Sequence, residues 1–308
     1  MGRRVLVTGA TGFVGAHVLA RAPYMGLEPV AARGDLRDPE TARALVLETS
    51  PVAVLHLASA RARAGDDVWR GLADDLRMAG NVLAAVGALA PEAPVLIPGS
   101  AAQYGLAGPE PLGETAPAAP VGVYGAVKSV LEAACTSAAL QGSVRVIWTR
   151  SFNHVGLGQG LEAPAPSWAR QIAEAEASGG GVLRTGRLDV VRDFLDVRDV
   201  ADAYLALVSS GAAGVVNVCS GVGVRLRDVA ETLVGLSGAS ISIEHDPTLE
   251  REIDPPHVVG DPSRLRELTG WAPSIDLERS LRDVLEEWRR RVGESEPHAF
   301  ASGQSRGA

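Results

Sequence analysis

Three side chains in the middle of the chain have the types and spacing to move a proton on or off an oxygen: Ser100, Tyr124 and Lys128. Tyr124 and Lys128 stand four apart in Tyr124-Gly125-Ala126-Val127-Lys128, which on a helix puts phenol and ammonium on one face. A cation beside a phenol favours the phenolate and eases proton transfer near neutral pH. Ser100, in Pro98-Gly99-Ser100-Ala101-Ala102-Gln103-Tyr104-Gly105, can hydrogen-bond a carbonyl or alcohol oxygen. Together they suit a hydride moving to or from a carbon bearing oxygen, provided a nicotinamide lies alongside. The pair alone also fits a solvated helix face, and the N-terminus decides between the readings.

There, Arg3 to Thr8 reads as a short buried strand, followed by Gly9-Ala10-Thr11-Gly12-Phe13-Val14-Gly15 and an apolar helical run to about Ala22. Strand, glycine turn and helix in that order match what a dinucleotide pyrophosphate needs. Gly9 allows the tight turn, Gly12 the close backbone approach and Gly15 the packing of helix on sheet. Thr11, Phe13 and Val14 sit where the helix N-terminus offers amide donors and a favourable dipole. The spacing is Gly-x-x-Gly-x-x-Gly rather than Gly-x-Gly-x-x-Gly.

A second strand, residues 28–32, ends at Arg33, where an acidic residue would hold the ribose diol. An arginine there pairs with a 2′-phosphate instead, so the sequence points to NADP(H) over NAD(H). Asp35, in Gly34-Asp35-Leu36, is placed to accept from the adenine amino group, and the link from strand to Gly-Asp-Leu is short. Further helices are expected at 39–49, 67–89, 124–140, 199–209 with Asp199 as N-cap, 227–236 and 277–292. Strands are expected at 52–58, 95–97, 215–218 and 241–244. The third strand ends at Leu57, Ala58 and Ser59, at the carboxyl edge where open α/β sheets place ligands, and His56 within it reads as a satisfied core histidine.

At 308 residues the chain can bury about three quarters of its unfolded surface. Lys and Arg number 29 against 37 Asp and Glu, a net charge of -8 that argues against nucleic acid or an anionic membrane as partner. An anionic ligand then needs local arginines. Cys135 and Cys219 belong to no metal-spaced cluster and read as buried reduced thiols, so no metal is expected. No apolar run reaches roughly 18 residues and Met-Gly-Arg-Arg leads straight into a strand, which together suggest a soluble cytoplasmic protein.

With Thr8-Gly9-x-x-Gly12-x-x-Gly15, Gly34-Asp35-Leu36, His56-Leu57-Ala58, Ser100 and Tyr124-x-x-x-Lys128 in order, the chain resembles the extended short-chain dehydrogenase/reductases. Thr149 to Gln159, Ala169 to Ile172, Val191 to Asp199, Val216 to Gly221 and Leu268 to Trp271 are similar to the GDP-4-keto-6-deoxy-D-mannose reductases, over nearly the whole chain. The resemblance implies proton work by Ser100, Tyr124 and Lys128, substrate contact also at Ala101, and Asn153, Arg170, Arg192 and Arg251 around a sugar diphosphate. It implies a Rossmann-type doubly wound parallel sheet with a smaller mixed α/β C-terminal lobe. The divisions are an NADP-binding domain over 1–150, to which later strands and helices return, a nucleotide-sugar lobe over 151–292, and a disordered tail over 293–308.

The implied activity is NADPH-dependent reduction of the C4 keto group of a nucleotide-diphosphate 4-keto-6-deoxy sugar, GDP-linked before dTDP-linked, by a homodimer. Ala101 and Ala102 replace the carboxylate that related 4,6-dehydratases use to remove the C5 proton, which argues against that elimination. The rivals are a 4-epimerase that retains its NAD(P) and a catalytically silent protein that senses NADP(H).

Overall fold

The alternating apolar residues of Arg4–Thr8 (β1) point Val5 and Val7 into one buried cluster and Leu6 into another, so both faces of the strand are covered. The computed structural model describes residues 2–60, 67–106, 108, 110–142, 144–250 and 252–295. After β1 come Phe13–Arg21 (α1), Glu28–Ala31 (β2), Pro39–Thr49 (α2), Ala53–His56 (β3), Val68–Leu89 (α3), Val95–Pro98 (β4), Val123–Gln141 (α4) and Val146–Ser151 (β5). Then follow Asn153–Val155 (β6), Pro164–Ala177 (α5), Gly181–Thr185 (β7), Val191–Asp196 (β8), Val197–Ser209 (α6) and Gly214–Val218 (β9). Gly223–Arg225 (β10), Leu226–Gly235 (α7), Ile241–His245 (β11), His257–Val258 (β12), Ser263–Thr269 (α8) and Leu277–Ser295 (α9) complete the order.

Among the described residues, six parallel strands form a sheet in the order β2-β1-β3-β4-β5-β9. One face packs on α1 and α6 through Val18, Val200 and Tyr204, the other on α2, α3 and α4 through Val46, Val82 and Leu131. The architecture is doubly wound and Rossmann-type. Chain order reverses between β1 and β3, which opens a crevice at their carboxyl ends.

Beyond β5 the chain builds smaller sheets. β8 lies between antiparallel β10 and parallel β12, β6 pairs with its second half, and β7 pairs in parallel with β11. A separate core of Trp168, Ile172, Leu183, Leu233, Val284 and Leu285 joins these strands to α5, α7 and α9.

Helix starts follow capping chemistry. Asp38 accepts from the Glu40 and Thr41 amides ahead of α2, and Asp67 from those of Trp69 and Arg70 ahead of α3. Two expectations are corrected. The cap of α6 is Asp196, which accepts from the Arg198 amide at 2.8 Å. Asp199 is buried instead, accepting from the Ser274 hydroxyl and from the Ser274 and Ile275 amides. The last helix also passes the expected boundary at Gly293 and runs to Ser295, while 296–308 lie outside the described residues.

Candidate active site

Gly9 adopts φ +65°, and a Cβ there would lie 2.6 Å from the Ala58 nitrogen, so β1 can turn against the end of β3 only with glycine. A Cβ on Gly15 would lie 2.3 Å from the Gly9 carbonyl oxygen, which fixes how closely α1 enters the turn. Gly12 precedes α1 and no side chain caps it. The amides of the first turn, Phe13 and Val14 among them, thus lack a side-chain acceptor at the positive end of the helix dipole. Gly12, at the head of that turn, lines a cavity of about 440 Å³ with Gly9 and Thr11 after β1 and with Leu57, Ala58 and Ser59 after β3, while Phe13 and Val14 stand outside its lining. That cradle fits a dinucleotide pyrophosphate.

Among the described residues the guanidinium lining this cavity is that of Arg37, which carries no sequence motif; Arg33 is exposed and does not line it. Arg37 donates to Asp35 from Nε at 2.9 Å and Nη2 at 2.7 Å, and from Nη1 to Asp74 at 3.3 Å. Hydrogen bonding from Arg37 holds the Asp35 carboxyl down at about 2. Asp35 lines the same cavity and, besides the bonds from Arg37, keeps carboxylate lone pairs that can accept from a ligand. Leu36 is buried in the sheet core, and its carbonyl accepts from Asn81 Nδ2 at 2.9 Å.

Ser100 follows β4 and opens the 3-10 turn Ala101–Tyr104, where its Oγ accepts from the Ala102 amide at 3.2 Å. Tyr124 stands in the first turn of α4, 61% exposed, with Lys128 one turn on. The Lys128 ammonium lies 6.0 Å from the Tyr124 ring centroid and donates to the Pro98 carbonyl at 3.3 Å, which ties α4 to the strand that delivers Ser100. A Cβ on Gly125 would lie 2.3 Å from the Ala102 carbonyl oxygen, so the helix start sits directly on the Ser100 turn. The three residues that the sequence singled out are thus carried by two elements in backbone contact. Ala101 is buried, and neither it nor Ala102 has an acid to offer.

His56 is buried between these parts. Thr8 Oγ1 accepts from the Ala58 amide at 3.1 Å and shares a hydrogen bond with His56 Nδ1 at 2.9 Å. Burial, with the charge of Lys128 behind it, pulls the imidazole down to about 4, so it is a satisfied neutral core histidine. Burial likewise pushes the Cys135 thiol up to about 11 and raises that of Cys219, as suits reduced core cysteines. Among the described residues no His, Cys, Asp and Glu group could hold a metal ion, and no helix is long and apolar enough to cross a membrane.

A second cavity of about 400 Å³ lies over the strands beyond β5. Asn153 and Arg192 line it, together with Arg184 and Arg187, which carry no motif. Asn153 Nδ2 donates to the Asp193 carbonyl at 3.0 Å, and Arg192 pairs with Asp254. Arg170 is not in the lining; it is paired along α5 with Glu174 at 3.6 Å. Arg251 lies outside the described residues. The strand pattern holds a signal for Arg184, since alternation buries Leu183 and Thr185 and leaves Arg184 facing out.

The NAD dependent epimerase/dehydratase family matches residues 5–219. GDP-6-deoxy-D-mannose reductase of Pseudomonas aeruginosa is 37% identical over 305 residues, covering 96% of this chain and 100% of that protein. UDP-glucose 4-epimerase of Azospirillum brasilense is 28% identical, covering 98% and 96%. The solved structure of RMD from Pseudomonas aeruginosa complexed with NADPH matches with a TM-score of 0.85 at 34% identity, over 94% of this chain and 99% of that one. A family match across most of the chain and a full-length relative above 30% identity agree with the motifs: the chain belongs to the NAD dependent epimerase/dehydratase family, the extended short-chain dehydrogenase/reductases.

Proposed function

We propose that the protein reduces the C4 keto group of a nucleotide-linked 4-keto-6-deoxyhexose with NADPH, the GDP-linked sugar first and the dTDP-linked sugar next. The observation that carries this reading is the contact between the Ser100 turn and the start of α4, which brings serine, tyrosine and lysine to one edge of a sheet that also bears an uncapped glycine turn. The relative that is a GDP-6-deoxy-D-mannose reductase and the related structure holding NADPH support the choice of substrate and cofactor.

When bound, reduced nicotinamide supplies the hydride that the sugar's C4 carbon accepts. Tyr124 gives its proton to the oxygen as negative charge develops there, and the Ser100 hydroxyl shares the hydrogen bonding of that oxygen. Lys128 keeps the phenol ready as a donor and holds the nicotinamide ribose. The first-turn amides of α1 take the pyrophosphate and Arg37 faces the 2′-phosphate. Asn153 and Arg192, joined by Arg184 and Arg187, hold the nucleotide sugar, so 1–150 with α6 and β9 forms the cofactor half and the rest of 151–292 the substrate half.

The exposed apolar side chains of Trp69 on α3 and of Val130 and Leu140 on α4 support a homodimer across these two helices, tested by solution mass. A cytoplasmic location accords with the cofactor and with the buried free thiols.

The deciding assay mixes the protein with GDP-, dTDP- and UDP-linked 4-keto-6-deoxy sugars and follows NADPH absorbance, with product configuration by NMR. One NADPH lost per sugar reduced supports the proposal. Sugar turnover with none consumed means epimerisation, and no turnover in the presence of bound NADPH means a silent sensor.

A further inference from the structure

Beneath the Ser100 turn lies a buried polar network that lines neither cavity. Glu132 stands on α4 one turn beyond Lys128 and two beyond Tyr124, on the same face. Its Oε1 accepts from Arg150 Nη2 at 2.7 Å, and its Oε2 from Arg150 Nε at 2.9 Å and Gln103 Nε2 at 2.7 Å. The Arg150 and Glu132 side chains are only 6% and 13% exposed, so this is no surface ion pair.

A carboxylate only accepts, so it fixes which way the Gln103 amide points. With Nε2 towards Glu132, Gln103 Oε1 must face the other way, where it accepts from the Ser100 amide at 3.0 Å and from Trp148 Nε1 at 3.3 Å. Room for that oxygen exists because residue 99 is glycine; a Cβ there would lie 2.4 Å from it. The far end of the turn is tied to the same group, since the Arg150 guanidinium sits 4.7 Å above the Tyr104 ring, and Tyr104 OH donates to Asn217 at 2.7 Å.

We propose that Glu132 is a positioning residue for the reduction, holding Ser100 in register with Tyr124 by orienting the Gln103 amide between them. The proposal rests on the ketoreductase reading above. The helix that carries the proton donor thereby also sets the backbone of the residue that binds the oxygen, through two hydrogen bonds and no flexible loop.

Three variants of the full-length protein test this: Glu132→Gln, whose amide no longer dictates the Gln103 orientation; Gln103→Met, which leaves the Arg150–Glu132 pair intact and so protects folding; and the exchange Gln103→Glu/Glu132→Gln. In the exchange variant the carboxylate at 103 accepts from Ser100 and Trp148 while the amide at 132 donates to it. Each single change lowers kcat by about tenfold or more with KM and NADPH dissociation constants within about twofold, because misplacement acts in the transition state. Hydrogen–deuterium exchange of the segment 99–104 speeds up by about tenfold in both singles, and the exchange variant returns both readouts towards wild type. Single variants that lose thermal stability while kcat and exchange over 99–104 stay at wild-type values overturn the proposal. If wild type turns over no keto sugar, the functional reading fails instead, and the exchange measurement alone decides: unchanged rates over 99–104 in both singles refute the network.

Discussion

Arg37 forks onto Asp35 through Nε and Nη2 and reaches Asp74 with Nη1, so the guanidinium that lines the glycine-turn cavity among the described residues is shared between two carboxylates. A 2′-phosphate competes with both acids for Arg37. Removing the weaker competitor releases attraction without losing the fork. Asp74→Asn is therefore expected to lower KM for NADPH, Arg37→Ala to raise it by about tenfold with little change for NADH, and Arg33→Ala to do neither. Steady-state kinetics with both cofactors check this, and equal effects of the two arginine variants would return the role to Arg33.

Tyr124 is exposed, with Lys128 over its ring, and its hydroxyl is the proposed proton donor. Tyr124→Phe should leave the thermal midpoint unchanged and cut kcat by roughly 10²- to 10⁴-fold, and Ser100→Ala should cost about 10²-fold. Measuring NADPH binding beside kcat separates chemistry from cofactor affinity. A Tyr124→Phe enzyme that keeps wild-type turnover would remove the proposed mechanism.

Much of this was legible before the structure because the relevant signals are local. The glycine turn, the helical periods of α2 and α3 and the Tyr-x-x-x-Lys pair each depend on a few adjacent residues. What stayed hidden is set by distant partners. Asp196 and Asp199 are equally good caps by type; the choice follows from where β8 ends and from Ser274 and Ile275, which claim Asp199. Arg33 and Arg37 are likewise equal by type, and Gly34, at φ +111°, turns the short link between them. Arg170 resembles a phosphate ligand by motif but pairs along its own helix, whereas Arg184 and Arg187 reach the second cavity from a strand end with no motif.

His56 makes stability depend on pH in a stated direction. Its imidazole is held neutral down to about 4 in the fold, against 6.5 when unperturbed. Between those values the unfolded chain binds a proton that the folded chain refuses. Its contribution is therefore intact above 6.5 and lost as pH falls towards 4, by about 3 kcal/mol in all at 1.36 kcal/mol per pH unit. Denaturant unfolding at several pH values should show a shallower decline for His56→Asn than for wild type over this window. Parallel declines would mean that the histidine is protonated in the fold.

The arginines of the second cavity make the last test, and burial sets its order. Arg192, 9% exposed and paired with Asp254, has already been desolvated and oriented, so a diphosphate meets a guanidinium that loses little entropy on binding. Removing it also strands the half-buried Asp254 carboxylate, which adds a folding defect to any binding defect. Arg184 and Arg187 are more exposed than Arg192: Arg187 pairs with the exposed Asp189 at 3.2 Å, and an exposed pair is worth little. Arg184→Ala and Arg187→Ala should therefore each raise KM for the sugar nucleotide by about tenfold, the loss of a charge-assisted contact, with unchanged kcat and thermal midpoint. Arg170→Ala, outside the lining, should leave all three in place. A KM that moves with Arg170 and not with Arg184 or Arg187 would shift the diphosphate onto α5.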